Sequence, residues 1–175
     1  MDKSANTPQI LIVLERIKQN SRINKHQHFC AAERNHFYNN IFGSMAIVIN
    51  IFLGSLLFVA VSQSLPDIAK WISAFLAMFS AACSGIQTFF NFQRVFEGHR
   101  RVANSYLEIQ RECERLIAMF ADNLIDKEKL AILVEVISKE YGRINNEAEV
   151  FPTGDKDFRK AMVYDNHNST NEQIR

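Results

Sequence analysis

Between Arg34 and Asp67, and again between Lys70 and Arg94, the chain carries no Asp, Glu, Lys or Arg, although these residues are dense elsewhere. The whole-chain averages conceal this segregation: 47% of the 175 residues are hydrophobic and 22% charged, values ordinary for a soluble domain. At about 1.5 Å per residue, helices over 41–65 and 71–93 would measure roughly 37 and 34 Å, enough for a hydrocarbon core of about 30 Å. Helices in the core of a soluble bundle normally keep a charged solvent face. Neither block has one.

The two blocks are joined by "PDIAK", which opens with Pro66 and is too short for anything but a turn, so the expected arrangement is two antiparallel neighbours. A secretory signal is not expected, because "ILIVL" at 10–14 is too short for its apolar region. Arg22, Lys25 and Arg34 precede the first block and Arg94, Arg100, Arg101 and Arg111 follow the second, against Lys70 alone between them. The positive-inside rule then puts both termini in the cytoplasm. Cys30, Cys83 and Cys113 are an odd set for a reducing compartment, and no disulfide is expected.

Around the blocks the reading is helical throughout, which makes the expected fold class an all-α membrane protein. Residues 1–38 form an interfacial segment, with an amphipathic helix over 8–37 started by Thr7-Pro8 and showing Ile10, Leu14 and Ile17 on one face. The transmembrane hairpin occupies 39–93. In the cytoplasmic part, 94–150, Val102, Tyr106, Ile109, Cys113, Leu116 and Phe120 recur at spacings of four and three, the pattern of a heptad seam and a candidate for driving self-association. A second helix at 126–148, with Asp126 and Glu128 near its start and Leu130, Val134, Ile137, Tyr141 and Ile144 in period, should fold back on the first. Residues 151–175 are polar and turn-rich, and are expected to stay mobile unless a partner holds them.

The second block poses the main question. Ser73, Ala77, Ser80, Ser84, Gln87 and Asn91 follow one another at four, three, four, three and four residues, one face of a helix, with Arg94 beyond them. Phe75, Leu76, Phe79, Ile86, Phe89 and Phe90 fill the other faces. Lipid offers no hydrogen-bond partner, so such a row must face another helix or water. It either packs against the first span, through polar contacts of about 0.6–2 kcal/mol each, or lines a pore with Arg94 at its cytoplasmic mouth, which needs several copies since two spans enclose nothing. In the first block Gly43, Asn50 and Gly54 share a face, a groove into which the second span could dock.

Other chemistry finds no support. In "HQHFC", His26 and His28 are two residues apart and point to different faces, unlike the i, i+3 or i+4 pairs that bind metals, and are read as histidines near the headgroups. No metal and no cofactor is expected. There is no phosphate loop, nucleophile elbow or acidic pair, so enzyme chemistry is not expected either. His99-Arg100-Arg101 forms a basic patch suited to anionic lipid, whereas a net charge of +1 and the lack of a basic groove argue against nucleic-acid binding.

His28 with Ala31-Ala32 and Arg34, Gly54 with Phe58, Gln87-Thr88-Phe89, then His99, Tyr106 and Arg111-Glu112, in this order, resemble the SLATT family of bacterial effectors with two membrane spans; the likeness covers 26–120. The resemblance implies a pore-forming effector of anti-phage defence that permeabilises the inner membrane of an infected cell, an abortive infection. It also implies an upstream partner: a sensor, a nucleotide second messenger or a reverse transcriptase. No attached sensor domain is expected in this chain, so that partner would have to act from outside it. The rival expectation is a non-conducting membrane anchor that recruits a partner through its cytoplasmic helices.

Overall fold

The computed structural model describes residues 9–62 and 66–173, in which five helices and no strands occur. The Thr7-Pro8 start and the end of the first apolar block, 63–65, lie outside the described residues.

α1 (Gln9–Ser62) takes in both the amphipathic segment and the first apolar block as one helix. The sequence alone predicts two segments here, an amphipathic helix over 8–37 and a span over 41–65. No proline lies between positions 9 and 62, and the two glycines there, Gly43 and Gly54, cost only about 1 kcal/mol each in a helix, too little to break it. α2 (Asp67–Phe90) starts at Pro66, whose carbonyl accepts from the amides of Ala69 and Lys70 at 3.0 and 3.3 Å.

α3 (Phe92–Ala121) is separated from α2 by one residue, where an unbroken helix is expected from the lack of a breaker. Asn91 adopts the left-handed conformation, φ 46 and ψ 47, which Asn tolerates better than most side chains. The break is local: the Asn91 amide still donates to the Gln87 carbonyl at 3.1 Å, and its own carbonyl accepts from Val95 at 3.2 Å. α3 ends just before Asp122-Asn123. Asn123 has φ 56, and the Leu124 amide reaches back to the Met119 carbonyl at 2.9 Å, which satisfies the helix end. α4 (Lys127–Glu149) is capped by Asp126, whose carboxylate accepts from the Lys129 amide at 2.7 Å.

The polar end of the chain departs most from expectation. Residues Asp155–Gln173 form α5, where no helical period of apolar residues is visible in the sequence. Its start is fixed by Asp157, which accepts from the Gly154 amide at 3.0 Å. The partner that the sequence analysis required to order this segment is the chain itself: Asp157, Ala161 and Asp165 are buried.

The chain divides into two compact units, residues 33–96 and the remainder. The larger unit has a conventional core. Leu14 and Ile17 of α1 meet Val102, Tyr106, Ile109, Cys113 and Leu116 of α3, Ile125, and Leu130, Val134, Ile137 and Ile144 of α4. The heptad seam proposed for self-association is therefore occupied within the chain, by α1 and α4, with Phe120 half-buried at its edge. In the smaller unit apolar side chains point outward. Phe58, Trp71 and Phe89 are 81%, 78% and 83% exposed. Two helical segments are long and apolar enough to cross a membrane, and only 6% and 11% of their most apolar stretches are buried.

Candidate functional site

The polar row of α2 splits into two. Ser73, Ser80 and Gln87, seven residues apart, turn toward α1. The Ser80 hydroxyl donates to Asn50 Oδ1 at 2.9 Å, and the Gln87 side-chain amide donates to Asn39 Oδ1 at 2.9 Å. As the position on α2 rises, its partner on α1 falls, so the two helices run antiparallel along this seam. Ser73 is half-buried and closes its hydroxyl on the Ala69 carbonyl at 2.8 Å. Cys83 lies buried between Ser80 and Gln87.

The glycines mark how closely the helices approach. A Cβ on Gly43 would come within 3.1 Å of the Gln87 amide nitrogen, so the missing side chain makes room for the Gln87–Asn39 hydrogen bond. Asn50 belongs to the same seam. Gly54 does not: nothing lies within 4 Å of its would-be Cβ, which corrects the expected groove of Gly43, Asn50 and Gly54. Gly85, free of neighbours in the same way, makes no close approach within the chain.

Ala77, Ser84 and Asn91 form the second row and are exposed, as is Arg94. A stripe that alternates four and three is two residues wide, so burying one edge against α1 leaves the other about 50° around the helix. The sequence could show the stripe but not where its centre would point. In an antiparallel pair, residues just after each seam position lie on one side of both helices and those just before on the other. The leading side is aromatic: Tyr38 and Phe42 of α1 and Phe90 of α2 gather on Phe92, ring centroids 5.8, 6.0 and 5.5 Å apart. The trailing side carries the small and polar residues Asn40 and Ser44 of α1 with Ala81, Ser84 and Thr88 of α2. The Thr88 hydroxyl donates to the Ser84 carbonyl at 2.9 Å, and Asn40 bonds the His36 ring at 3.1 Å.

A second polar constellation lies in the larger unit. His28 and His99, 5% and 1% exposed, face each other with Nδ1 atoms 3.0 Å apart, one ring donating to the other. Burial, reinforced by the neighbouring His99 and opposed by Asp157, pulls His28 from 6.5 down to about 4. The Tyr106 ring lies 5.8 Å from His28, and its hydroxyl donates to Asn145 Oδ1 at 2.8 Å. Burial, with Tyr141 nearby, raises that phenol to about 12 against the hydrogen bond from Asn24. Phe151 stacks over Gly98 and lies 5.9 Å from the His99 ring; a side chain at position 98 would collide with it.

This cluster corrects two sequence readings. His28 is buried among helices rather than placed at headgroups, and His99 is interior rather than part of a basic surface patch. Arg101, its expected neighbour in that patch, pairs with Glu147 at 2.8 Å. The only sequence signal for the cluster was the joint appearance of His28, His99 and Tyr106 among the residues that carry the family likeness. Among the described residues no three metal-ligating side chains converge.

Residues 30–127 match a family described as a protein of unknown function, DUF4231. No curated protein and no solved structure matches the chain.

Proposed function

The chain belongs to the DUF4231 family, and we propose that it is a pore-forming membrane effector of bacterial anti-phage defence, permeabilising the inner membrane when triggered. In this reading residues 39–93 form a transmembrane hairpin with both termini in the cytoplasm. The outward apolar residues of this unit face acyl chains, where water would penalise them by about 25 cal/mol for each Å² of apolar surface.

One observation carries the pore reading. The inward polar row is satisfied across the two helices, whereas Ser84, Thr88, Asn40 and Ser44 share an exposed side, on which the Thr88 hydroxyl bonds within α2 and Asn40 within α1. Polar groups at bilayer depth require water or a polar neighbour. Copies assembled with this side inward would surround an aqueous path lined by hydroxyls and amides. The likeness to the SLATT family supports the defensive role and a separate upstream partner. The reading invokes no enzymatic step.

The test is dye release from liposomes containing the purified protein. The unmodified protein should leak upon triggering or overloading, and the pair Ser84→Leu with Thr88→Leu should abolish leakage while leaving insertion intact. Full leakage from the double variant would remove this side from the pore. Absence of leakage from every form, with a partner retained, would favour a non-conducting anchor.

A further inference from the structure

α5 is attached in a different way from the other helices of its unit. Over 155–165 no α5 residue enters the main apolar cluster, which draws on α1, α3, α4 and Ile125. Over 155–165 α5 buries Asp157, Ala161 and Asp165, one row at i, i+4 and i+8 in which Ala161 supplies a single methyl group. Of its larger apolar side chains, Phe158 and Val163 are exposed, Met162 is half-buried, and Tyr164, half exposed, lies against the His26 ring.

The row meets a polar stretch of α1. Arg22 pairs with Asp165 at 2.9 Å, with the two side chains only 15% and 6% exposed. The His26 ring lies 3.9 Å from Tyr164, Gln27 bonds Thr153 just ahead of α5, and His28 feels the charge of Asp157. A helix held by charge and hydrogen bonds binds only while its partners are in place. Removing one member of a buried ion pair strands the other and costs far more than losing an exposed pair. Apolar packing has no such single point of release.

We infer that α5 is an electrostatically latched strap on α1, with Arg22–Asp165 as the latch, and that its release frees the larger unit to start permeabilisation. The second half rests on the pore reading above; the first does not.

Full-length protein in liposomes tests both halves. Amide hydrogen exchange over 155–165 follows the strap and dye release follows permeabilisation. Asp165→Asn should speed exchange in 155–165 at least tenfold, leave α3 and α4 amides unchanged, and raise leakage. The charge exchange Arg22→Asp with Asp165→Arg should restore both. If α5 amides exchange in step with α4 in every variant, α5 is an integral part of the fold and the strap is overturned. If α5 is released while leakage stays at the unmodified level, its control of permeabilisation is overturned. Where no form leaks, the pore reading fails and the exchange data decide the strap alone.

Discussion

The two units solve opposite problems with the same element. In the larger unit α1 buries Leu14 and Ile17 and shows charge to the outside; in the smaller unit the same helix buries Ala46 and presents Ile47, Ile51 and Phe58 outward. There the interior is held instead by Asn39, Asn50, Ser80 and Gln87. In the proposed membrane setting, the inversion follows from the solvent around each unit rather than from the helix itself. Where water surrounds a helix, apolar contacts contribute most to stability; where lipid does, apolar contacts contribute little between helices, and packing and hydrogen bonds fix the pairing.

The contrast breaks most visibly under truncation. Leu130→Ala, at a fully buried site of the larger unit, should cost about 2–5 kcal/mol, read as faster amide exchange throughout α3 and α4. Phe58→Ala in the smaller unit removes a larger side chain yet should leave exchange there unchanged in a bilayer, since Phe58 is 81% exposed among the described residues. Equal losses at the two sites would erase the distinction.

Acid should act on one unit only. His28 is held neutral in the folded chain, so below pH 6.5 the unfolded form takes up a proton that the folded form refuses until about pH 4. Stability present above 6.5 is therefore lost progressively between 6.5 and 4, by roughly 3 kcal/mol at 1.36 kcal/mol per unit. Exchange in α3 and α4 measured across that range should show the loss, and His28→Gln should shrink it. His26, pulled down to about 4 chiefly by burial, then by Lys25 and Arg22, adds in the same direction.

Glycines sharpen the comparison on a smaller scale. Gly98→Ala places a methyl group in the Phe151 ring and should cost about 1–3 kcal/mol through overpacking. Gly54→Ala meets nothing and should be neutral or stabilising by up to about 1 kcal/mol. At the seam, a double-mutant cycle of Asn50→Ala and Ser80→Ala should show a coupling of about 0.6–2 kcal/mol.

The helices were legible because their signals are local. Charge-free blocks, a heptad run and an aspartate cap each lie within a few turns of one another. What escaped depends on distant partners. The sequence displayed the α2 stripe, but only the positions of Asn39 and Asn50 across the seam divide it into satisfied and outward rows. The α3 seam suggested another copy as its partner because its matching residues on α1, Leu14 and Ile17 with Ile10 and Leu11 beside them, lie some eighty residues earlier. α5 was missed because charge pairing with Arg22 leaves no apolar period to read.

The most direct test of the inversion uses spin labels at exposed sites of both units, on protein in bilayers: Phe58→Cys and Met78→Cys against Ile132→Cys, with Cys30→Ser and the buried Cys83 and Cys113 left in place. Labels at 58 and 78 should relax strongly with oxygen and scarcely with a water-soluble nickel complex, while the label at 132 should do the reverse. Equal access of the nickel complex to all three positions would contradict the account.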